Sequence, residues 1–157
     1  MAFDREVRSH LMRVKNRSEV FGNQFFMDEN DEIVGEEELL LISATDLPLD
    51  AAYSLALRHG GAAYPAHIDR DANGIVAILG TVPTEPAFTA VELRDQSNRE
   101  VFTERYGLAG KHFVFSSDAH QLGPIGEAGG VIELDDEPYS SARVRRALID
   151  VLRGEVQ

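Results

Sequence analysis

Apolar and polar positions along this chain follow two rhythms, one helical and one alternating. Phe3, Val7, Leu11 and Val14 recur at helical spacing, so the first fifteen residues predict one amphipathic helix. The stretch "NQFFMDENDEIVGEEELLLI" then sets two apolar runs around a polar D-E-N-D, which predicts an inserted β-hairpin over about residues 23–42 with acidic tips. Its E-E-E run reads as a solvated edge that also guards against strand aggregation. In "TDLPLDAAYSLALRHGG" a helix is expected: Pro48 lies near its start, Leu49, Ala52, Tyr53 and Leu57 share one side, and Gly60 stops it.

Beyond Gly60 the pattern becomes a regular alternation. A strand at Ala62 to Ala66 leads to a short helix capped by Asn73, then to a strand "FTAVEL" and a helix "SNREVFTERYG" closed by Gly107. A strand "HFVFS", a loop, a strand "GVIEL" and a terminal helix from Ser141 complete the chain, the last with Val144, Leu148, Val151 and Leu152 in a stripe. Strands alternating with helices of this length predict an α/β fold of parallel βαβ units. With no internal repeat and no low-complexity linker, residues 1–157 read as a single domain.

Composition narrows the chemistry. The 157 residues, 43% of them hydrophobic, suffice for a buried core, and no apolar run approaches a membrane span. The opening M-A-F-D-R-E-V-R is charged and unlike a signal peptide, so no membrane partner and a cytoplasmic location are expected. A chain without cysteine must hold any transition metal by His, Asp and Glu. The formal charge of −12 repels phosphate backbones and argues against nucleic acid as a general partner. A local cation could still reverse the field inside a pocket and admit a small phosphoester.

Functional groups in parallel α/β folds gather at the carboxyl ends of strands. The first predicted strand ends at His67, the second carries Glu92, and the third ends in "SSDAH", Ser116 to His120. Residues i and i+2 of an extended segment point the same way, so Asp118 and His120 can present a carboxylate and an imidazole to one ion. Twelve Asp and five His yield about 0.4 D-x-H triplets by chance, so the triplet alone is weak and its strand-end position is what singles it out. Alternation sets Glu92 with Phe88 and Ala90 on one face, opposite Val91 and Leu93, where a carboxylate is either paired or functional. The overlapping D-R-D-A-N-G from Asp69 has the start of a calcium loop, but its twelfth position is Gly80 where a bidentate Glu is required. Ser116, Ser117, Asp118 and His120 include all three residue types of a serine triad, yet they are adjacent and no G-x-S-x-G turn is present.

"GGAAYPAHIDR", "AVELRD" and "FVFSSDAHQLGPIGE" resemble, in order and spacing, the later motifs of the polymerase and histidinol phosphatase (PHP) domain, and the hairpin resembles one branch of stand-alone PHP proteins. The resemblance implies a distorted, here partial, β/α barrel, and a phosphoesterase using divalent zinc, manganese or iron. It assigns His67, Asp118 and His120 as metal ligands, Asp118 and His120 as catalytic, and Arg70 and Glu92 as substrate-binding residues. The family's opening H-x-H strand and the later His and Glu have no counterpart in this sequence. The expectation is therefore the C-terminal portion of such a phosphoesterase, holding metal weakly or not at all and inactive by itself. The alternative is a non-catalytic binding or assembly module. A barrel without its first strands would leave an inner face including Phe88 and Ala90 uncovered, which predicts a homo-oligomer, most simply a dimer.

Overall fold

The structure, a computed structural model, describes residues 2–125, 130–134 and 136–155. It is mixed α/β, with one antiparallel and one parallel pair of strands and no closed barrel among these residues. The backbone divides into two compact units, Met1–Ala52 and Tyr53–Gln157.

In the first unit the predicted long helix is short. Helix α1 spans Ala2–Ser9 and buries none of its residues, and α2 is the single turn Ser18–Phe21. The helical spacing of Leu11 and Val14 is overridden because backbone pairing claims their segment: Leu11 bridges Thr45, Lys15 bridges Leu39, and Leu40 donates to the Val14 carbonyl at 2.8 Å. The expected hairpin is present as β1, Phe25–Met27, and β2, Ile33–Glu36, with Phe25 opposite Glu36 and a bulge between Phe26 and Met27. Its turn is fixed by Asp28, whose carboxylate accepts from the amides of Asn30 and Glu32 at 2.9 and 3.0 Å. These donors hold the Asp28 carboxyl below the usual range. Arg8 pairs with Asp4 and with buried Glu37, and its guanidinium lies 5.2 Å from the Phe26 ring centre. Leu40 is the one buried hydrophobic residue of this unit among those described.

The second unit has a core. Helix α3, Leu49–Arg58, starts in the last residues of the first unit and has Leu55 buried, with Gly60 beyond its end as expected; α4 spans Ile75–Leu79. Strand β3, Ala90–Leu93, is followed by a 3₁₀ turn at Gln96–Asn98, helix α5 at Arg99–Tyr106, and strand β4 at His112–Phe115, which pairs parallel with β3. This is the βαβ unit the alternation predicts. Gly107 closes α5 at φ 65°, a left-handed conformation that a side chain would resist. Val91 and Leu93, both fully buried, pack with Ile68, Val82 and Leu108. Burying each such side chain stabilises the fold by about 1.5–3 kcal/mol. Helix α6, Ser141–Leu152, ends on Arg153, whose guanidinium donates to the carbonyls of Leu57 and Gly61 at the end of α3.

Four expectations need correction. Ala62 to Ala66 is not a ladder strand, although Pro65 accepts from the Glu92 amide at 3.0 Å. The cap of α4 is Gly74, with Asn73 itself at φ 61°. "GVIEL" forms no strand: Gly130 lies against Phe115, but residues 131–133 are exposed, and alternation without a paired neighbour does not make a strand. Phe88 and Ala90, expected to lie uncovered, are 4% and 0% exposed, with the Tyr53 ring packed edge-on against Phe88 at 5.3 Å. The inner face is thus buried by the chain's own residues.

Candidate functional site

Three segments far apart in sequence meet at the carboxyl end of the β3–β4 pair. The first is the turn after Pro65. Ile68 donates to the Glu92 carbonyl at 2.9 Å and Pro65 accepts from the Glu92 amide, so the two contacts of Glu92 lie three residues apart. A regular parallel ladder spaces them by two, and the extra residue is absorbed at His67, whose φ is 30°. The Glu92 side chain completes the junction by accepting from the His67 amide at 3.0 Å. Glu92 is thus a paired carboxylate that holds the first segment to β3. Burial, helped by the nearby Glu92 charge, pushes the Tyr64 hydroxyl above its ordinary value.

Asp69 ties the same turn to the loop after β3. Its carboxylate accepts from the amides of Arg94 and Asp95 at 2.9 and 3.0 Å and from Asn98 Nδ2 at 3.0 Å. Burial alone would push Asp69 upward, but the three donors outweigh it and hold the carboxyl below the usual range. Asp95 in turn accepts from the Ser97 hydroxyl and amide, which lower it as well. The turn is closed by Gly74: a Cβ there would stand 2.9 Å from the His67 carbonyl oxygen, so only glycine fits this approach.

The third segment follows β4. Asp118, at φ 51°, forms an ion pair with Arg70 across 48 positions of sequence. His120 is exposed, and its Nδ1 meets the Asp118 carbonyl at 2.8 Å. His67 Nδ1 is buried, with no hydrogen-bond partner among the described residues. An open cleft of about 650 Å³ runs over this junction, lined among others by Arg70, Arg94, Asn98 and Ser117 with Asp69 and Asp95. Its lining includes two guanidinium groups, an amide and a hydroxyl, of which Arg70 is already paired with Asp118 and Asn98 with Asp69, and three carboxylates, of which Asp69 and Asp95 are supplied with N–H donors and Asp71 is exposed.

The site residues expected from sequence are therefore joined in pairs: Glu92 to His67, Arg70 to Asp118, and His120 to the backbone of Asp118. His67, Asp118 and His120 do not form a ligand set, and among the described residues no group of three or more His, Asp or Glu is arranged to hold a metal ion. With Asp118 engaged by Arg70, the arrangement does not fit a divalent ion. Arg94 and Asn98 were not singled out from sequence, and Asp69 and Ser117 were weighed only for a calcium loop and a serine triad, although each stands just past the end of a strand or its turn, and that position is itself the signal. No family model, curated protein or solved structure matches the chain. No helix among the described residues is long and apolar enough to cross a membrane.

Proposed function

We propose that the cleft over β3 and β4 binds a small phosphoester, as part of a metal-dependent phosphoesterase site of the PHP type on a partial β/α barrel in the cytoplasm. The observation that supports this reading is the convergence of PAHIDR, VELRD and SSDAH, joined by the Glu92–His67, Asp69–Arg94 and Arg70–Asp118 contacts. Arg70 and Arg94 are the groups for the phosphate oxygens, since guanidinium forks match phosphate geometry. Asn98 and Ser117 add neutral donors that orient the ester. In sites of this type a divalent ion activates water and polarises the ester. Among the described residues no three His, Asp or Glu are grouped for that ion, and in this reading the chain's own groups bind and orient the ester with little or no turnover.

Calorimetric titration with phenyl phosphate tests the reading. The expected result is weak binding, on the order of millimolar given the acidic chain, lost in Arg70→Ala and retained in His59→Ala. Absence of binding, or binding unchanged in Arg70→Ala, contradicts it. A robust hydrolysis rate abolished by Asp118→Ala would contradict the inactive part of the proposal. One observation favours a second reading, a non-catalytic binding or assembly module: Asp118 is taken by Arg70 and so is not free for chemistry. In that case phenyl phosphate does not bind while self-association persists.

A further inference from the structure

The first unit carries a surface that the phosphoester reading does not use. Among the described residues its β-ribbon has two strands only, and each has the other as its one neighbour. Phe25, Phe26, Met27, Ile33 and Val34 are 40–65% exposed. A lone two-stranded ribbon is marginal in water, and a third or fourth strand is what makes such a sheet stable. Charge in this unit is unevenly spread. All Lys and Arg of residues 1–52 lie between Arg5 and Arg17, with Asp4 and Glu6 beside them, while Asp28, Glu29, Asp31, Glu32, Glu36, Glu37 and Glu38 make the hairpin acidic. Arg8 is paired; the side chains of Arg13, Lys15 and Arg17 are exposed and make no ion pair among the described residues.

We propose that a second copy of this chain completes the ribbon by antiparallel pairing of β1 with its own counterpart across a two-fold axis at Phe26. The charges select the edge. Antiparallel pairing of β2 with itself about Val34 sets Glu32 opposite Glu36, and pairing about Gly35 sets Glu32 opposite Glu38, both of which are destabilising. Pairing β1 with itself sets Phe25 opposite Met27 and Gln24 opposite Asp28, with no like-charged pair. The same register carries the acidic turn of one copy along residues 23 and 22 of the other, beside Arg17. Asn16 Nδ2 donates to the Gly22 carbonyl and the Phe21 amide to that of Arg17, so these residues stand together. A two-fold axis makes this contact twice, which gives an isologous four-stranded sheet with apolar residues at its centre and complementary charge at its ends.

Sedimentation equilibrium of the full chain, with charge-exchanged variants at exposed positions, tests the proposal. The expected result is a reversible monomer–dimer equilibrium in the ~1–100 µM range. Arg17→Glu should weaken the dimer by about tenfold, and so should the double variant Glu29→Lys with Glu32→Lys. An equimolar mixture of the two variants should regain wild-type dimerisation, because each tip then meets an opposite charge. Phe25→Lys with Met27→Lys, which sets like charges across the axis, should leave only monomer. A monomer at every concentration, a dimer indifferent to these changes, or a mixture no tighter than its components would overturn it.

Discussion

Among the described residues each unit contains one pair of strands, and the two pairs are opposites. Strands β1 and β2 are neighbours in sequence, antiparallel, and exposed along nearly their whole length. Strands β3 and β4 are separated by a helix, parallel, and β3 is fully buried at Ala90, Val91 and Leu93. The hairpin rests on a few contacts: the local Asx turn of Asp28 and the longer-range contacts of Arg8 to Glu37 and Phe26. The parallel pair rests on burial, because its residues must repay the entropy of closing a long crossover before any contact counts. Strand pairing by itself therefore says little about where stability lies. The unit that had to bury its strands is also the one whose strand ends are fixed well enough to gather side chains into a site.

The contrast is broken most forcefully in the core. Leu93→Ala removes a fully buried side chain and should cost about 2–5 kcal/mol, whereas Ile33→Ala in the exposed hairpin should stay within about 0.5 kcal/mol. Urea unfolding followed by circular dichroism compares the two directly, and equal losses would show that the hairpin is as integral as β3. Gly74→Ala comes next, since its Cβ would press on the His67 carbonyl at 2.9 Å. A cost of about 1–3 kcal/mol is expected, visible as a lowered calorimetric midpoint together with weakened phenyl phosphate binding.

Asp69 gives a smaller and pH-dependent effect. Its carboxyl titrates lower in the folded chain than in the unfolded one, so its contribution is complete above the unfolded value of about 4 and is lost as pH falls through the folded value. Thermal melts should show Asp69→Asn destabilised by about 1–2 kcal/mol at neutral pH, with the gap to wild type closing below about pH 4. A gap that persists in acid would mean that the side chain acts by shape and not by charge.

Much of this division was legible beforehand. The hairpin, the βαβ unit and the closure of α5 at Gly107 follow from local pattern and from glycine, which act over a few residues. The alternation that set Val91 and Leu93 on one face is realised in the core. What pattern could not supply was long-range pairing. The helical spacing of Leu11 and Val14 lost to backbone partners at Thr45 and Leu40, and "GVIEL" had the alternation of a strand without a neighbour to complete it. The site divides the same way. His67, Glu92, Asp118 and His120 were marked by their strand ends, and the family resemblance assigned Arg70 to substrate and Asp118 to metal without pairing the two. Their mutual ion pair spans 48 positions, and no local rule reports it. Asp69 was weighed as a calcium ligand, although its donors lie on a loop 25 residues away.

The central claim is that three strand-end segments form one phosphate-binding junction confined to the second unit. An amide NMR titration of the full chain with phenyl phosphate tests it most directly. The account predicts shifts that saturate together at residues 69–72, 94–98 and 117–118, leave β1 and β2 unmoved, and vanish in Arg70→Ala. Shifts that never saturate, or that follow the basic residues between Arg5 and Arg17 instead, would contradict it.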